Sequence, residues 1–357
     1  MKAISVLCLA SLISMKGMAQ DSTKPASPVT FSAYVETYYS YDFNNPADHI
    51  KPGFIYSYNR HNEVNVNLAY LKASYSKDNI RGNVTLMAGT YPEYNLAPEP
   101  TVLRHIYEAN VGVKLAKNLW VDAGVMPSHI GFESAVGKDC YTLTRSIVAD
   151  NTPYYEAGAK LTWTPNDQWT FAALYVNGWQ RIALLNDNQT PCGGTQITYK
   201  PNDKVLLNYS TYFGNDRPDS LYQFRFYNDF YGTFNLTEKW SLIAGFDYGM
   251  QQRTPHSGDY ATWYAPTLIA HYAINQKYAL TGRVEAFKDK DQVVYTTDTP
   301  HGFDLMGYSL SFDIAPAKNV LFRIGGRLFS ARDDMFRKEQ LYTNNDASVT
   351  TALMLSF

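Results

Sequence analysis

Ala347 to Phe357 reads A-S-V-T-T-A-L-M-L-S-F, and the fold turns on how this stretch is read. Val349, Thr351, Leu353, Leu355 and Phe357 fall on one face, and Ser348, Thr350, Ala352, Met354 and Ser356 on the other. A period of two with one apolar face predicts a β-strand with that face in an apolar medium. The same code recurs upstream. Trp240, Leu242, Ala244, Phe246, Tyr248 and Met250 alternate with Ser241, Ile243, Gly245, Asp247 and Gly249. Tyr155, Ala157, Ala159, Leu161 and Trp163 alternate with Glu156, Gly158, Lys160 and Thr162, and Val320 to Leu328 alternates in the same way.

Composition limits what such strands can build. The chain has 357 residues, 45% hydrophobic and 18% charged, with Tyr 29, Phe 18 and Trp 6. Globular proteins average roughly 25% charged, so charge is scarce and the excess is aromatic. Lys+Arg 31 against Asp+Glu 33 leaves a net charge of -2, with no basic surface for nucleic acid. Beyond the N-terminus no apolar run approaches the ~20 residues of a spanning helix. Cys 3 excludes a disulfide scaffold. A soluble all-β protein and a membrane β-barrel remain.

Short polar turns divide the chain like a ruler. They fall at Ser76–Asn79, Ala116–Asn118, Pro165–Gln168, Pro201–Lys204, Thr237–Lys239, Asn275–Lys277 and Pro316–Asn319. Asn, Asp and Pro pre-set or tolerate turn dihedrals. Successive turns lie about 36 to 49 residues apart, which suits two strands of roughly 10 residues and a longer far-side loop. Seven turns join fourteen strands. A first strand near Val29 and a last one ending at Phe357 make sixteen, an even number as a single-chain barrel requires; 14 or 18 stay open.

Alternation alone also fits a soluble sandwich. Three features favour the membrane: ionisable residues sit mid-strand on the second face, Trp and Tyr gather at strand ends as interfacial girdles do, and no helix or second domain interrupts the ruler. In lipid every backbone polar group needs a partner, so the sheet must close. The expected fold is an all-β, transmembrane antiparallel up-and-down β-barrel of about 16 strands over residues 29–357. Sixteen strands enclose more space than side chains fill. The tyrosine excess reads as girdle and lumen structure rather than a carbohydrate-stacking surface. Residues 1–20 read as a signal peptide: Lys2, an apolar Ala3–Ile13, and Gly17-Met18-Ala19 before cleavage near Ala19/Gln20. Residues 21–28 read as a flexible lead. Cys8 lies inside the apolar region, too early for a lipoprotein anchor.

The C-terminal strand ending on Phe357 resembles those of bacterial outer-membrane barrels. Pro153-Tyr154-Tyr155 through Ala157-Gly158-Ala159-Lys160-Leu161-Thr162-Trp163-Thr164-Pro165-Asn166-Asp167, then Trp169 and Val176-Asn177-Gly178-Trp179, resemble the OmpL-like β-barrel porins of Gram-negative outer membranes. So do Arg283 to Asp289 with Asp291, and the loop carrying Gly131, Glu133, Ser134, Thr144-Arg145-Ser146 and Ala149-Asp150. These are strand and turn patterns rather than catalytic signatures. The resemblance implies passive or weakly selective passage of small hydrophilic solutes and ions across the outer membrane.

Strand parity nominates Glu108, Lys114, Asp122, Lys160, Asp247, Arg283, Glu285, Arg323 and Arg327 as pore-lining, since charge on an inner wall sets ion preference. Arg323 and Arg327 are expected to lie in the channel and favour anions locally. The longest far-side segment, Pro127 to Pro153, carries Glu133, Lys138, Asp139 and Arg145. It is the third such loop, and by resemblance to general porins it is expected to fold inward and narrow the channel. Cys140 and Cys192 lie in neighbouring loops, so a disulfide, free thiols or separate positions stay open. His49, His61, His105, His129, His256, His271 and His301 form no metal motif. His129 or His271 could join a rim hydrolase set, but no G-x-S-x-G or phosphate loop is present. The reading needs no cofactor, no metal and no catalytic residue. Its partners are the lipid bilayer, small hydrophilic solutes and, as an open question, further copies of the chain. The rival readings are a receptor or adhesion barrel with ligand-binding loops and a plugged lumen, and a soluble secreted all-β binding protein.

Overall fold

The computed structural model describes residues 27–339 and 341–357. The signal segment and most of the lead lie outside the described residues. The strands in chain order are β1 (Val29–Asp42), β2 (Val64–Lys77), β3 (Ile80–Ala88), β4 (Ile106–Ala116), β5 (Leu119–Pro127), β6 (Tyr155–Trp163), β7 (Trp169–Val176), β8 (Cys192–Asn202), β9 (Val205–Asn215), β10 (Phe224–Asn235), β11 (Trp240–Gln252), β12 (Tyr260–Ala273), β13 (Tyr278–Asp289), β14 (Phe303–Ala317), β15 (Val320–Ala331), β16 (Phe336–Lys338), β17 (Leu341–Thr343) and β18 (Asn345–Ser356). Sixteen of them pair antiparallel with their chain neighbours and close into a barrel, β18 lying between β15 and β1; β16 and β17 form a separate hairpin. The expected strand number and closure are met.

All seven turns fall where predicted, for identifiable reasons. Asn166 Oδ1 accepts from the N–H groups of Gln168 and Trp169, at 2.9 and 3.1 Å. Thr237 Oγ1 and Asn275 Oδ1 each accept the same two bonds in their turns. Asp78 and Asn118 adopt φ of 55° and 62°, the left-handed region that Asn and Asp tolerate best after glycine.

The face code also holds. In β11, Trp240, Phe246 and Tyr248 are exposed on the outer surface while Ile243, Asp247 and Gly249 are buried within. Outward aromatics stand near both ends of the wall: Trp163, Trp240 and Tyr278 at the short-turn end, Tyr175, Tyr248 and Tyr264 at the other. These are the girdles of a membrane barrel, so the short turns mark the periplasmic end. The register of β2 against β1 shifts between Glu36 and Thr37, which pair with Leu68 and Val66, so Asn67 is an extra residue.

One stretch of wall is unusually low. β5, β6 and β7 have nine, nine and eight residues. Gly124 and Gly158 face each other there. Gly124 has φ of 128°, and a Cβ on it would come 2.1 Å from the Ala109 carbonyl oxygen. Backbone cannot yield as a side-chain tip can. Gly124→Val is therefore expected to cut the folded fraction severely, read as loss of the heat-modifiable band in refolding gels; a near wild-type folded fraction would contradict the close approach.

Candidate functional site

The far-side loop between β5 and β6, residues 128–154 and here called L3, turns into the barrel. Its root is pinned first. His129 Nδ1 meets Glu156 at 2.9 Å and its Nε2 meets the Thr211 carbonyl at 2.8 Å. Gln196 and Ser210 donate to the His129 carbonyl, and the Gly131 N–H donates to Asp229. From there the loop descends. Lys138 donates to Ser356 Oγ through Nζ and to Tyr34 Oη through its backbone N–H, and Tyr141 stacks on His271 at 4.2 Å. Ser356 and His271 lie at the short-turn ends of β18 and β12. The tip therefore reaches the periplasmic end of the lumen.

On the return, wall arginines grip the loop backbone. Arg283 donates to Thr142 Oγ1 at 3.0 Å, to the Thr144 carbonyl at 2.6 Å and to Thr144 Oγ1 at 3.1 Å. It also lies 3.4 Å from Glu133 and 3.1 Å from Glu285. Arg323 donates to the carbonyls of Gly137 and Thr142 while its other face is held bidentately by Asp313. The Ile147 N–H donates to Glu285, opening the short helix α1 (Ile147–Asp150). Inside the loop, Arg145 donates to the carbonyls of Ser134, Leu143 and Ala135, and Glu133 accepts from Ser146 and Thr142. Planar guanidinium groups suit this work, because each satisfies several carbonyls at fixed angles.

The loop between β1 and β2, residues 43–63, folds in behind L3. Tyr58 Oη donates to Glu36 and its N–H to Asn67. Phe54 packs edge-on against Phe303 and Phe329, at 4.9 and 5.4 Å. Burial pushes Lys51 down to about 8, opposed by Asp346 and Asp42. Burial also pushes the Asp150 carboxyl up to about 7, against Arg327 and Arg145.

Burial now divides the inner wall in two. Towards the periplasmic end, the wall of β13 to β15, β18 and β1 is covered: Thr281, Arg283, Ser311, Arg323, Ala352 and Tyr34 are at most 3% exposed. At the same height on β2 to β8, Lys72, Arg81, Asn83, Asn110, Lys160, Thr162, Gln196 and Thr198 are half-buried and Lys114 is exposed. A cavity of about 260 Å³ continues this free side upward, between Phe132 and Glu133 of L3 and Tyr107 and Tyr231 of the wall.

The sequence-nominated residues sort along this division. Lys114 and Lys160 stand on the free side without an ion-pair partner among the described residues. Glu108 and Asp122 are there too, but Lys72 holds the first at 2.7 Å and Arg81 the second bidentately. Asp247 is buried, accepts from Tyr227 Oη, and faces Asp229 in register. Arg283, Glu285, Arg323 and Arg327 lie under L3. The expectation that Arg323 and Arg327 face open channel is thus corrected: Arg323 grips L3, and Arg327 is 5% exposed and paired with Glu285 at 2.8 Å. Of the L3 residues, Asp139 is exposed, Lys138 and Glu133 are tied as described, and Arg145 is an internal staple with no exposure. Sequence reasoning passed over Lys72 and Arg81, and also Glu36, Glu156 and Asp229. Arg81 is the one a parity count would have found, since it is the second residue after a predicted turn and alternates with the outward Ile80; in the structure it stacks over Trp120. Cys140 and Cys192 are both free and buried. His129 bonds Glu156 and a carbonyl, and His271 bonds Thr281; among the described residues neither ring meets a serine hydroxyl.

A large barrel with an inward third loop and a polar inner wall defines the porin class. A family model described as "Putative beta-barrel porin-2, OmpL-like" matches residues 28–357, and the chain belongs to this family. It is an outer-membrane porin, a channel for diffusion of small hydrophilic solutes. Solved structures share the fold. The outer-membrane channel DcaP of Acinetobacter baumannii is 10% identical, with 92% of this chain and 97% of that one covered and a TM-score of 0.63. An anion-selective porin from Comamonas acidovorans is 9% identical, covering 92% and 99%, with a TM-score of 0.60. Salmonella typhi OmpF in complex with daunomycin is 11% identical, covering 92% and 97%, with a TM-score of 0.59. No curated protein sequence matches the chain.

Two outcomes follow. Removing one member of a buried, hydrogen-bonded ion pair costs about 3–5 kcal/mol, because the partner charge is stranded. Arg283→Ala removes the cation beside Glu133, one of the two beside Glu285 and three bonds to L3, so its thermal unfolding temperature should drop clearly and its channel current should become noisier; unchanged stability would remove Arg283 as an anchor. Asp150 binds its proton more tightly folded than unfolded, so it lowers stability as pH rises from about 4 through about 7. Asp150→Asn should therefore gain on the wild type across that window in unfolding temperature; a difference independent of pH would show that the carboxyl does not titrate there.

Proposed function

We propose that solutes cross this porin through a crescent-shaped passage between L3 and the inner wall of β2 to β8, and that the passage prefers anions. The burial contrast carries the reading. L3 is fixed to one side of the lumen by Arg283, Arg323 and Lys138, while the facing wall keeps its polar side chains accessible.

The charge balance of that wall supports the preference. On that wall Lys72, Arg81, Lys114 and Lys160 stand against Glu108 and Asp122, while the third acid, Glu156, is buried against His129. The two acids are spent on Lys72 and Arg81, which leaves Lys114 and Lys160 uncompensated. Of the three L3 acids, only Asp139 is exposed. Rings and rows of fixed charge act strongly at such close quarters, where water is scarce. No catalytic step belongs to this reading, and no cofactor. Export of the chain with cleavage near Ala19/Gln20 does belong to it, supported by Lys2, the apolar Ala3–Ile13 and the small residues Gly17 and Ala19.

One observation favours a second reading, a receptor barrel with a closed lumen. The long-loop half holds a tight apolar cluster that includes Phe54, Ile147, Phe303 and Phe329. Planar-bilayer recording separates the two. The porin reading predicts stable single-channel steps, a reversal potential of anion sign in a salt gradient, and a clear move towards cations in Lys114→Glu/Lys160→Glu. A folded barrel without steps would favour the receptor. Steps with a reversal potential indifferent to both substitutions would leave the porin and remove the two lysines from the passage.

A further inference from the structure

At the long-loop end a second cavity, of about 220 Å³, opens above α1. It is lined by residues from seven separate parts of the chain, among them Tyr56, Asp150, Trp179, Arg181, Arg225 and Trp263. Its two cations differ in kind. Arg225 is fully engaged: Nε and Nη2 both donate to Gln251 Oε1, at 3.0 and 2.7 Å, Nη1 lies 3.4 Å from Asp216, and the guanidinium sits 5.1 Å above the Trp179 ring and 5.8 Å from that of Trp263. Arg181 is half-buried, yet among the described residues its guanidinium has neither a hydrogen bond nor an ion pair.

The turn that presents Arg181 is rigid at considerable cost. The Trp179 N–H donates to Asp216 at 2.7 Å. The Gln180 side chain accepts from the Tyr154 N–H and donates to Asn95 Oδ1. The N–H groups of Ile182 and Ala183 both donate to Glu99, and Asn177 closes the turn on the Ile182 carbonyl. Between these anchors Gln180 is held at φ of 53°, in the left-handed region. A non-glycine residue is strained there, and such strain persists only where the surroundings over-determine it. Holding a loop this firmly, and leaving its arginine without a protein partner, is the arrangement of a pre-organised anion-binding group.

We propose that this cavity is an outer binding site for a compact ring carboxylate, with Arg181 taking the carboxylate as a two-pronged donor and the Trp179, Trp263 and Tyr56 edges enclosing the ring. The volume sets the size. A dry engineered cavity of about 150 Å³ admits benzene, so this one admits a single six-membered ring with its acid group. The hydroxyls of Thr152 and Tyr56 offer polar contacts if the ring carries hydroxyls, so aromatic acids and sugar acids share the required chemistry. The inference depends on the porin reading only in treating the ligand as a solute on its way in.

The test uses the full-length barrel in detergent and the same preparation in planar bilayers. Benzoate and glucuronate are titrated against tryptophan fluorescence, with benzyl alcohol and glucose as uncharged counterparts. Saturable quenching by at least one acid, and not by its neutral counterpart, is expected; whichever acid binds identifies the ring. Arg181→Gln should weaken that binding about tenfold or more, since a hydrogen bond to a charged group is worth about 1.5–3 kcal/mol, and Arg181→Lys should recover part of it. Arg181 holds nothing else in place, so these variants should fold as the wild type does. Added at the long-loop side, the same acid should block channel current over the same concentration range. Equal quenching by acid and neutral probe, no quenching by either acid, or binding indifferent to Arg181→Gln would overturn the site. Saturable binding without any conductance would keep the site and overturn the porin reading instead.

Discussion

Closure of the backbone hydrogen-bond ladder is the constraint on which everything else rests. A spanning sheet in lipid cannot leave an edge, because each unpaired N–H or C=O in hydrocarbon costs several kcal/mol. Here the last strand meets the first over nine residue pairs, from Tyr34 with Ser356 to Asp42 with Ser348, and the Phe357 N–H still reaches the Ala33 carbonyl. Once the cylinder closes, alternation has a fixed meaning. Odd positions of β18 go to lipid and even positions go inside, so Thr350, Ala352 and Met354 become lumen wall.

That interior would be wide and wet if the wall were all it contained. L3 changes this with a few buried polar contacts of high individual worth. Surface ion pairs contribute roughly 0–1 kcal/mol, whereas stranding one partner of a buried pair costs several. Arg283 and Arg323 fall in the second class, and both spend their donors on L3 carbonyls as well as on carboxylates. Lys72 with Glu108 and Arg81 with Asp122 are half-exposed pairs on the opposite wall, free to face water. The same residue types therefore stand in two settings, decided by which side of L3 they lie on: one arc fastens the loop, the other stays accessible.

Much of the fold was legible because its determinants are local. A turn such as Pro165–Gln168 declares itself through Asn166, whose side chain caps the backbone two and three residues on, and a strand such as β11 declares its outer face through period two. The lumen was legible only by parity. Parity places Arg323 inside, but whether it meets water or a loop carbonyl depends on a contact with residue 142, far off in the chain. The bulge opposite Glu36 shows the other limit, since one extra residue in β2, Asn67, resets that strand's facing without a mark in its sequence. Arg145 looked like a constriction charge because it sits mid-loop; its burial comes from three carbonyls of the same loop, which no spacing rule records.

The account stands on L3 lying against one arc of the wall and leaving the other open. Single cysteines introduced in turn at Lys160 and Thr281, with Cys140 and Cys192 replaced by serine, would be exposed to a small charged thiol reagent while channel current is recorded. The cysteine at 160 should react quickly and lower the current, and the one at 281 should stay unmodified, because Thr281 is 1% exposed beneath the loop. Equal reactivity at both positions, or reaction at 281 alone, would contradict a lumen divided in this way.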